Sequence, residues 1–353
     1  MRILSLLMLL ACAACQPTAD PKALTVAVEQ TQLYTAPDWG SPALELLLRG
    51  DPLSDLGKVS PFEMNVQYGA DMRQAPWIAV QTPSGKSGWV FGGAVVPPDL
   101  NTDWLLQKRL LCYFGPTLTA RRNALAAPTP PTDEAALASR YRATLALRDT
   151  LLLVIAHRPE PGHGAAKPQF FWLKNALPGT LFQQVSGGAL PWLFMDYRAW
   201  LRWASQSSGP QDDLFFSTCA NVFPADSIES PFPAWLFPLS EREAVSRLGE
   251  GRHLATLQAI DRAWRDAPLF RPELATIKEQ IIDDILSQDS RYWQPKDKIV
   301  KELENIWHTP LQCLEAMEQE MIWRRIALIN QAEQHGIRVN LRSGEMESGQ
   351  GGG

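Results

Sequence analysis

Two patterns of hydrophobic and polar positions divide the chain. Between residues 23 and 97, short apolar runs alternate with glycine and proline, whereas from residue 100 onward apolar positions recur every three or four residues. Short strands separated by turns are typical of a small β-barrel, and the longer spacing is typical of amphipathic helices. The pattern predicts a multidomain α and β protein: a small β-barrel at 23–97, followed by a larger all-α domain at 100–340.

Within the first region the strand signals are specific. Residues 24–28 are rich in β-branched side chains, and residues 31–57 alternate short apolar runs with proline and glycine. Residues 75–95 predict two strands joined by the turn Pro83-Ser84-Gly85-Lys86, because proline and glycine favour the backbone angles of tight turns.

The second region predicts a series of helices. Thr132-Asp133-Glu134 is typical of a helix start, and Ser240-Glu241-Arg242-Glu243 matches a capping box. Residues 341–353 are rich in glycine, serine and glutamate, which predicts a disordered tail. The expected helices cover 101–114, 132–156, 189–205, 241–265, 272–288, 296–307 and 311–335.

The extreme N-terminus suggests a processing signal. Its apolar run, residues 3–10, is too short to span a bilayer. Arg2 precedes the run, and small residues follow it directly before a cysteine, which resembles the lipobox of bacterial lipoproteins. We favour Cys15 as the lipidated residue, with Cys12 as the alternative. Residues 1–15 would then be the signal peptide with its lipidated cysteine, and residues 16–22 a tether.

The resemblance to a lipoprotein signal implies that the membrane is a partner and indicates where the protein is located. A diacylated cysteine would anchor the chain in a membrane. No aspartate follows either cysteine. In a Gram-negative cell that pattern implies an outer-membrane lipoprotein facing the periplasm.

Net charge, cysteine spacing and missing motifs argue against several kinds of ligand. The formal net charge is −5 and no basic block is present, which argues against nucleic acid as a partner. Cys112, Cys219 and Cys313 are widely spaced, so either buried thiols or one disulfide with an odd cysteine fits an oxidising compartment. No His/Cys cluster predicts a metal, and no nucleotide-binding motif predicts a cofactor.

The first region resembles the bacterial SH3-like (Src-homology-3) domain. The matching segments are Leu33 with Pro37, Leu47-Leu48-Arg49-Gly50, Trp77-Ile78-Ala79-Val80 and Gly85-Lys86-Ser87-Gly88-Trp89-Val90. Two departures are the Tyr34-Thr35-Ala36 sequence near the first proline and the long stretch 57–75.

The resemblance implies a docking module, often for cell-wall peptides. Tyr34, Trp39 and Trp77 are candidates for an aromatic groove that accepts an extended peptide or a sugar face. The alternative is that Trp77, like Trp89, fills the barrel core.

One feature of the helical region suggests catalysis. Ile228-Glu229-Ser230 resembles the catalytic Glu-Ser of lytic transglycosylases, in which a lone glutamate is the general acid/base. The Gly-Leu-Met-Gln signature expected downstream is missing, and Pro231 follows at once.

The leading hypothesis is therefore an envelope-anchored binding or adaptor protein, since the sequence favours the absence of a catalytic site without deciding it. Its SH3-like domain would dock on peptidoglycan or on an envelope protein, and its helical domain would be an interaction scaffold. A third, weaker hypothesis makes the helical domain a periplasmic chaperone or an inhibitor of another envelope enzyme, and nothing in the sequence separates it from the first. The alternative is a divergent peptidoglycan-cleaving enzyme that uses Glu229.

Overall fold

The structure is a computed structural model, and it falls into two compact units. It describes residues 22–68, 70–99, 103–126, 131–158, 170–185, 190–240, 243–287, 291–334, 337–340 and 345–348. The first unit holds the described residues up to Ala120 together with His157 and Arg158, and the second holds the remainder. The predicted signal and lipidation sites, Cys12 and Cys15, lie outside the described residues. No helix in the described part of the chain is long and apolar enough to cross a bilayer.

The first unit is a curled antiparallel sheet. Its seven strands lie in the order β3-β2-β6-β5-β4-β1-β7, so β3 and β7 form its two edges. The buried core of this unit includes Leu33, Trp77, Val90 and Phe91. The strands are β1 Lys22–Val26, β2 Gln30–Tyr34, β3 Ala43–Leu48, β4 Pro52–Tyr68, β5 Asp71–Gln81, β6 Ser87–Phe91 and β7 Val95–Val96.

Local sequence explains the curl. The predicted turn at 83–86 joins β5 to β6, and Gly85 adopts a φ of +85° there. The register of β4 against β5 shifts twice, which bends the sheet. A Cβ at Gly88 would lie 2.5 Å from the Tyr34 carbonyl oxygen, so only glycine lets β6 approach β2 this closely. The long stretch 57–75 is accounted for by extension of the β4–β5 hairpin.

Helix α1, Asp103–Leu125, contributes to the first unit as well. Trp104 belongs to the core of the sheet, and the Lys108 ammonium lies 2.5 Å from the Asp55 carboxylate, with both side chains buried. Arg109 pairs with Glu63 at 2.8 Å. The helix is interrupted at Gly115, whose φ is +71°, just before Pro116.

The second unit is mainly helical and packs around a large apolar core. Trp200, Phe215, Phe216 and Phe270 are fully buried in it, and Phe215 stacks on Phe270 with ring centroids 4.3 Å apart. Its further helices are α2 Glu134–Ala156, α3 Tyr197–Ala204, α4 Gln211–Val222, α5 Arg252–Asp266, α6 Arg271–Leu286, α7 Lys296–His308 and α8 Ala316–Gln334.

This region is not purely α-helical, so the prediction of an all-α region is wrong in detail. It also contains β-hairpins, and the predicted helix at 189–205 begins as a strand. Aromatic residues suit a strand, and Pro191 disfavours a helix interior. The paired strands are β8 Thr180–Val185 with β9 Leu190–Met195, β10 Leu236–Pro238 with β11 Ala244–Ser246, and β12 Ile337–Asn340 with β13 Glu345–Ser348.

The predicted helix at 241–265 likewise begins later. The Ser240 hydroxyl accepts a hydrogen bond from the Glu243 N–H, as in a capping box, but the chain then enters β11. Gly249 and Gly251 adopt positive φ angles of +96° and +78°, and α5 starts only after them. The last strand, β13, lies within the segment 341–353 that was expected to be disordered.

Candidate functional site

The three aromatic residues singled out from the sequence lie together in the first unit. Tyr34 ends β2, Trp39 lies in the loop before β3, and Trp77 lies in β5. The ring centroids of Trp39 and Trp77 are 4.6 Å apart, and Tyr34 meets each of them edge-on at 5.5 Å. Phe91, which the sequence analysis missed, extends the cluster at 6.3 Å from Trp39.

Exposure differs sharply within this aromatic cluster, defined as Tyr34, Trp39, Trp77 and Phe91. Trp77 and Phe91 are fully buried and Tyr34 is 8% exposed, whereas Trp39 is 39% exposed. Trp77 therefore belongs to the core and cannot contact a ligand directly in this arrangement. Trp39 is the member that presents its ring to solvent, with the other three as a packed support.

The loop that carries Trp39 is held by a dense set of hydrogen bonds. The Thr35 N–H donates to the Pro42 carbonyl at 3.0 Å, and the Ser41 hydroxyl donates to the Asp38 carbonyl at 2.7 Å. The Gly40 N–H donates to the Asp38 carboxylate at 3.0 Å. Because the loop is already ordered, Trp39 would lose little conformational entropy on binding a ligand.

The Trp77 side chain of this cluster also contains a buried polar atom. The indole N–H of Trp77 is buried and has no hydrogen-bond partner in the described residues. An unpaired buried donor costs about 1–3 kcal/mol. Trp39, packed at 4.6 Å, helps to cover the Trp77 indole from water. An aromatic ring on a rigid support can stack on a sugar face or on a proline ring.

Glu229, the weak catalytic candidate, lies in the second unit and is tied up in structural contacts. Its Oε2 atom accepts hydrogen bonds from the Arg148 guanidinium and from the Met195 N–H, the latter at 3.0 Å. The Arg148 side chain is 10% exposed and that of Glu229 is 27% exposed. The Glu229 carboxylate is therefore engaged in contacts within the protein, which favours a structural function over a catalytic one.

The segment before Glu229 has an unusual backbone. Asp226 and Ser227 both adopt positive φ angles, +55° and +53°, and the Ile228 N–H donates to the Ala225 carbonyl at 3.2 Å. This is the pattern of a type I′ turn, which asparagine and glycine normally occupy. The turn lets the Ser227 carbonyl accept from the Tyr197 N–H, and so anchors the Glu229 segment to the start of α3.

A second polar cluster in this unit joins three elements. The Asp284 carboxylate lies 2.8 Å from His253 Nε2 and accepts a hydrogen bond from the Ser246 hydroxyl at 2.6 Å. Both bonds go to the same Asp284 Oδ2 atom, whereas in a nucleophilic Ser-His-Asp triad the serine bonds to the histidine, so the arrangement differs from such a triad. His253 is fully buried.

The three cysteines of the described residues form no disulfide and are shielded. Cys112, Cys219 and Cys313 are free and buried. Burial, with the nearby Glu63 carboxylate, raises the pKa of the Cys112 thiol to about 12, and burial near Asp261 raises that of Cys313 to about 12. Burial raises the pKa of Cys219 well above its ordinary value. Thiols held in the neutral form are poor nucleophiles and poor metal ligands.

No metal site is evident: the described residues contain no group of three or more His, Cys, Asp or Glu side chains that could hold a metal ion. Comparison with protein-family models, with characterised proteins and with solved structures finds no significant match to this chain. The candidate site therefore rests on its own geometry, and the aromatic cluster around Trp39 is the arrangement best suited to binding.

Proposed function

We propose that this protein is a tethered binding protein of the bacterial cell envelope. Its first unit would act as an SH3-like docking module for peptidoglycan or an envelope protein, and its second unit as an interaction scaffold. The observation that carries this proposal is the half-exposed Trp39 ring on the buried support of Tyr34, Trp77 and Phe91. A rigid aromatic ring with solvent access is a common anchor in recognition surfaces.

The sequence of the first unit supports the SH3-like assignment. The Gly85-to-Val90 motif that carries the resemblance forms the β5–β6 turn and strand β6. Its Gly88 permits the close approach to Tyr34, so the motif positions one edge of the aromatic cluster. The lipid tether rests on the N-terminal sequence, with Cys15 as the proposed attachment site.

Binding and cleavage can be separated in one assay. Residues 16–353, which retain both units, are mixed with purified peptidoglycan sacculi and centrifuged, and the supernatant is analysed for released fragments. The proposal predicts that the protein pellets and that no fragments appear. Fragments in the supernatant would contradict the adaptor function. Failure to pellet would remove peptidoglycan as the ligand and leave the envelope-protein branch of the proposal, which pull-downs with Trp39→Ala as the control would then test.

The tether has a direct test of its own. Cells expressing the whole chain are labelled with a radioactive fatty acid, and Cys15→Ser is compared with Cys12→Ser. We expect only Cys15→Ser to lose the label and to leave the membrane fraction, since stable anchoring needs the acyl chains. If both variants keep the label, neither cysteine is the sole lipidation site.

A further inference from the structure

Strand β3 leaves an unusual surface at one edge of the first unit. Within the described part of the chain it pairs only with β2, so its other side is open. Leu44, Leu46 and Leu48 are exposed by 38%, 55% and 52%. Because side chains alternate along a strand, all three lie on the same face. Proteins usually shorten, charge or cover such edges, since they readily pair with another strand.

The register shows which backbone groups point away from β2. The Arg49 N–H donates to the Glu29 carbonyl at 3.1 Å, and Leu47 lies opposite Thr31. Hydrogen-bonded pairs alternate with non-bonded pairs in an antiparallel ladder. Leu46 and Leu48 therefore direct their N–H and C=O groups outward. In agreement, Leu48 bonds to Asp51 and not to β2: its N–H donates to the Asp51 carboxylate at 2.7 Å, and its carbonyl accepts from the Asp51 N–H at 3.0 Å.

Two charged side chains occupy the ends of this open edge. The Asp51 carboxylate accepts from the Leu48 N–H, as the carbonyl of a neighbouring strand would. The Lys86 ammonium donates to the Leu44 carbonyl at 3.4 Å, as the N–H of a neighbouring strand would. Lys86 also pairs with Glu45 at 3.5 Å, and its side chain is 53% exposed. The edge thus carries an acidic cap at one end and a basic cap at the other.

We propose that β3 is a homodimerisation edge, which pairs antiparallel with β3 of a second copy about a two-fold axis at Leu46. In this register Leu46 lies opposite its own copy, and Leu44 lies opposite Leu48 of the second copy. The two leucine rows then cover each other on one face. Each Leu48 N–H gains a Leu44 carbonyl from the other chain.

Charge complementarity favours a second copy over an unrelated strand. Asp51 lies at the Leu48 end and Lys86 at the Leu44 end, so an antiparallel copy brings each released carboxylate beside the released ammonium of the other chain. A parallel copy would place like charges together. The strand has six residues, so we expect its interface to fall below the roughly 1,000 Å² that specific, stable interfaces exceed. The expected dimer is therefore concentration-dependent, and attachment of both chains to one membrane would favour it by raising their effective concentration.

The test reverses one charge at each end of the edge and then mixes the two variants. Sedimentation analysis of residues 16–353 over a wide concentration range measures the fraction of dimer. Wild type is expected to shift from monomer to dimer as concentration rises. Asp51→Lys alone and Lys86→Asp alone each place like charges across the axis, and each should weaken dimerisation by about ten-fold or more. Their equimolar mixture restores both unlike pairs and should dimerise about as well as wild type.

Two charge-reversal controls and one variant at the axis complete the test. Lys58→Asp and Asp71→Lys reverse charges in β4 and β5, away from the open edge, and should leave dimerisation unchanged. Leu46→Lys places two ammonium groups at the axis while altering a side chain that is already exposed, so it should stay folded by circular dichroism and remain monomeric. A wild type that is monomeric at every concentration, a mixture no better than its components, or a dimeric Leu46→Lys would each overturn the proposal.

Discussion

At the scale of single residues, Glu229 is better explained as a structural residue than as a catalytic one. Its carboxylate accepts from Arg148 and Met195, and the type I′ turn at Asp226-Ser227 leads the chain to this position. The sequence alone could not show this, because Arg148 and Glu229 are 81 residues apart and no local pattern links them.

Glu229→Gln is therefore expected to change stability. The substitution leaves the largely buried Arg148 guanidinium without its charged partner, which should lower the free energy of unfolding by about 1–3 kcal/mol. Urea denaturation measures this change. Asp149→Asn is the matched control, because Asp149 also contacts Arg148 but its side chain is 64% exposed. Equal stability of Glu229→Gln and wild type, together with loss of a wall-cleaving activity, would restore the catalytic interpretation.

The Cys112 thiol provides a pH-dependent contribution to stability. Burial is the main cause that raises its pKa from the ordinary value of 9.0 to about 12, so the folded state holds the thiol proton more tightly than the unfolded state does. This contribution is complete below pH 9 and is lost as pH rises towards 12. One pH unit within that window corresponds to about 1.4 kcal/mol.

Between about pH 8 and pH 10, the free energy of unfolding of the wild type should therefore fall by about 1.4 kcal/mol more than that of Cys112→Ala. Urea denaturation at the two pH values, with hydrogen exchange to assign the change to the first unit, makes the comparison. Cys313→Ala should leave the first unit's pH response unchanged. An identical pH response in wild type and Cys112→Ala would show that the thiol is not shielded as the structure indicates.

At the scale of elements, local signals predicted some segments well and others poorly. The turn at 83–86 and the start of α2 were predicted because proline, glycine and the Thr132-Asp133-Glu134 segment act on nearby backbone. Strand β9 was mistaken for a helix because its aromatic residues fit either period. Its pairing with β8 in a hairpin is a contact between strands, which helical spacing cannot reveal. The Trp39–Trp77 contact was suggested only through the family resemblance.

The contact of α1 with the sheet gives a prediction for this scale. Lys108→Ala would leave the buried Asp55 carboxylate without its ammonium partner, so we expect a loss of about 3–5 kcal/mol. Lys58→Ala, which removes an exposed lysine from β4, should change stability by less than about 0.5 kcal/mol. Hydrogen exchange of the first unit compares the two variants. Equal protection in both would mean that the Lys108–Asp55 pair does not hold α1 on the sheet.

At the scale of the whole molecule, the two compact units divide the expected tasks. The curled sheet with α1 presents the exposed Trp39 ring, while the helical unit is built around a large aromatic core. The binding hypothesis was reached from sequence through the SH3-like motif. The ligand could not be derived in the same way, because the aromatic support is physically compatible with either a sugar or a peptide.

The most direct measurement is the equilibrium affinity of residues 16–353 for peptidoglycan sacculi, compared between Trp39→Ala and Phe62→Ala. The two side chains lie in the same unit and are equally exposed, 39% and 38%, so loss of general hydrophobic contact would affect both alike. We expect Trp39→Ala to weaken binding to sacculi about ten-fold or more and Phe62→Ala to leave it unchanged. Binding that is equally strong in both variants would contradict the assignment of the aromatic cluster as the docking site.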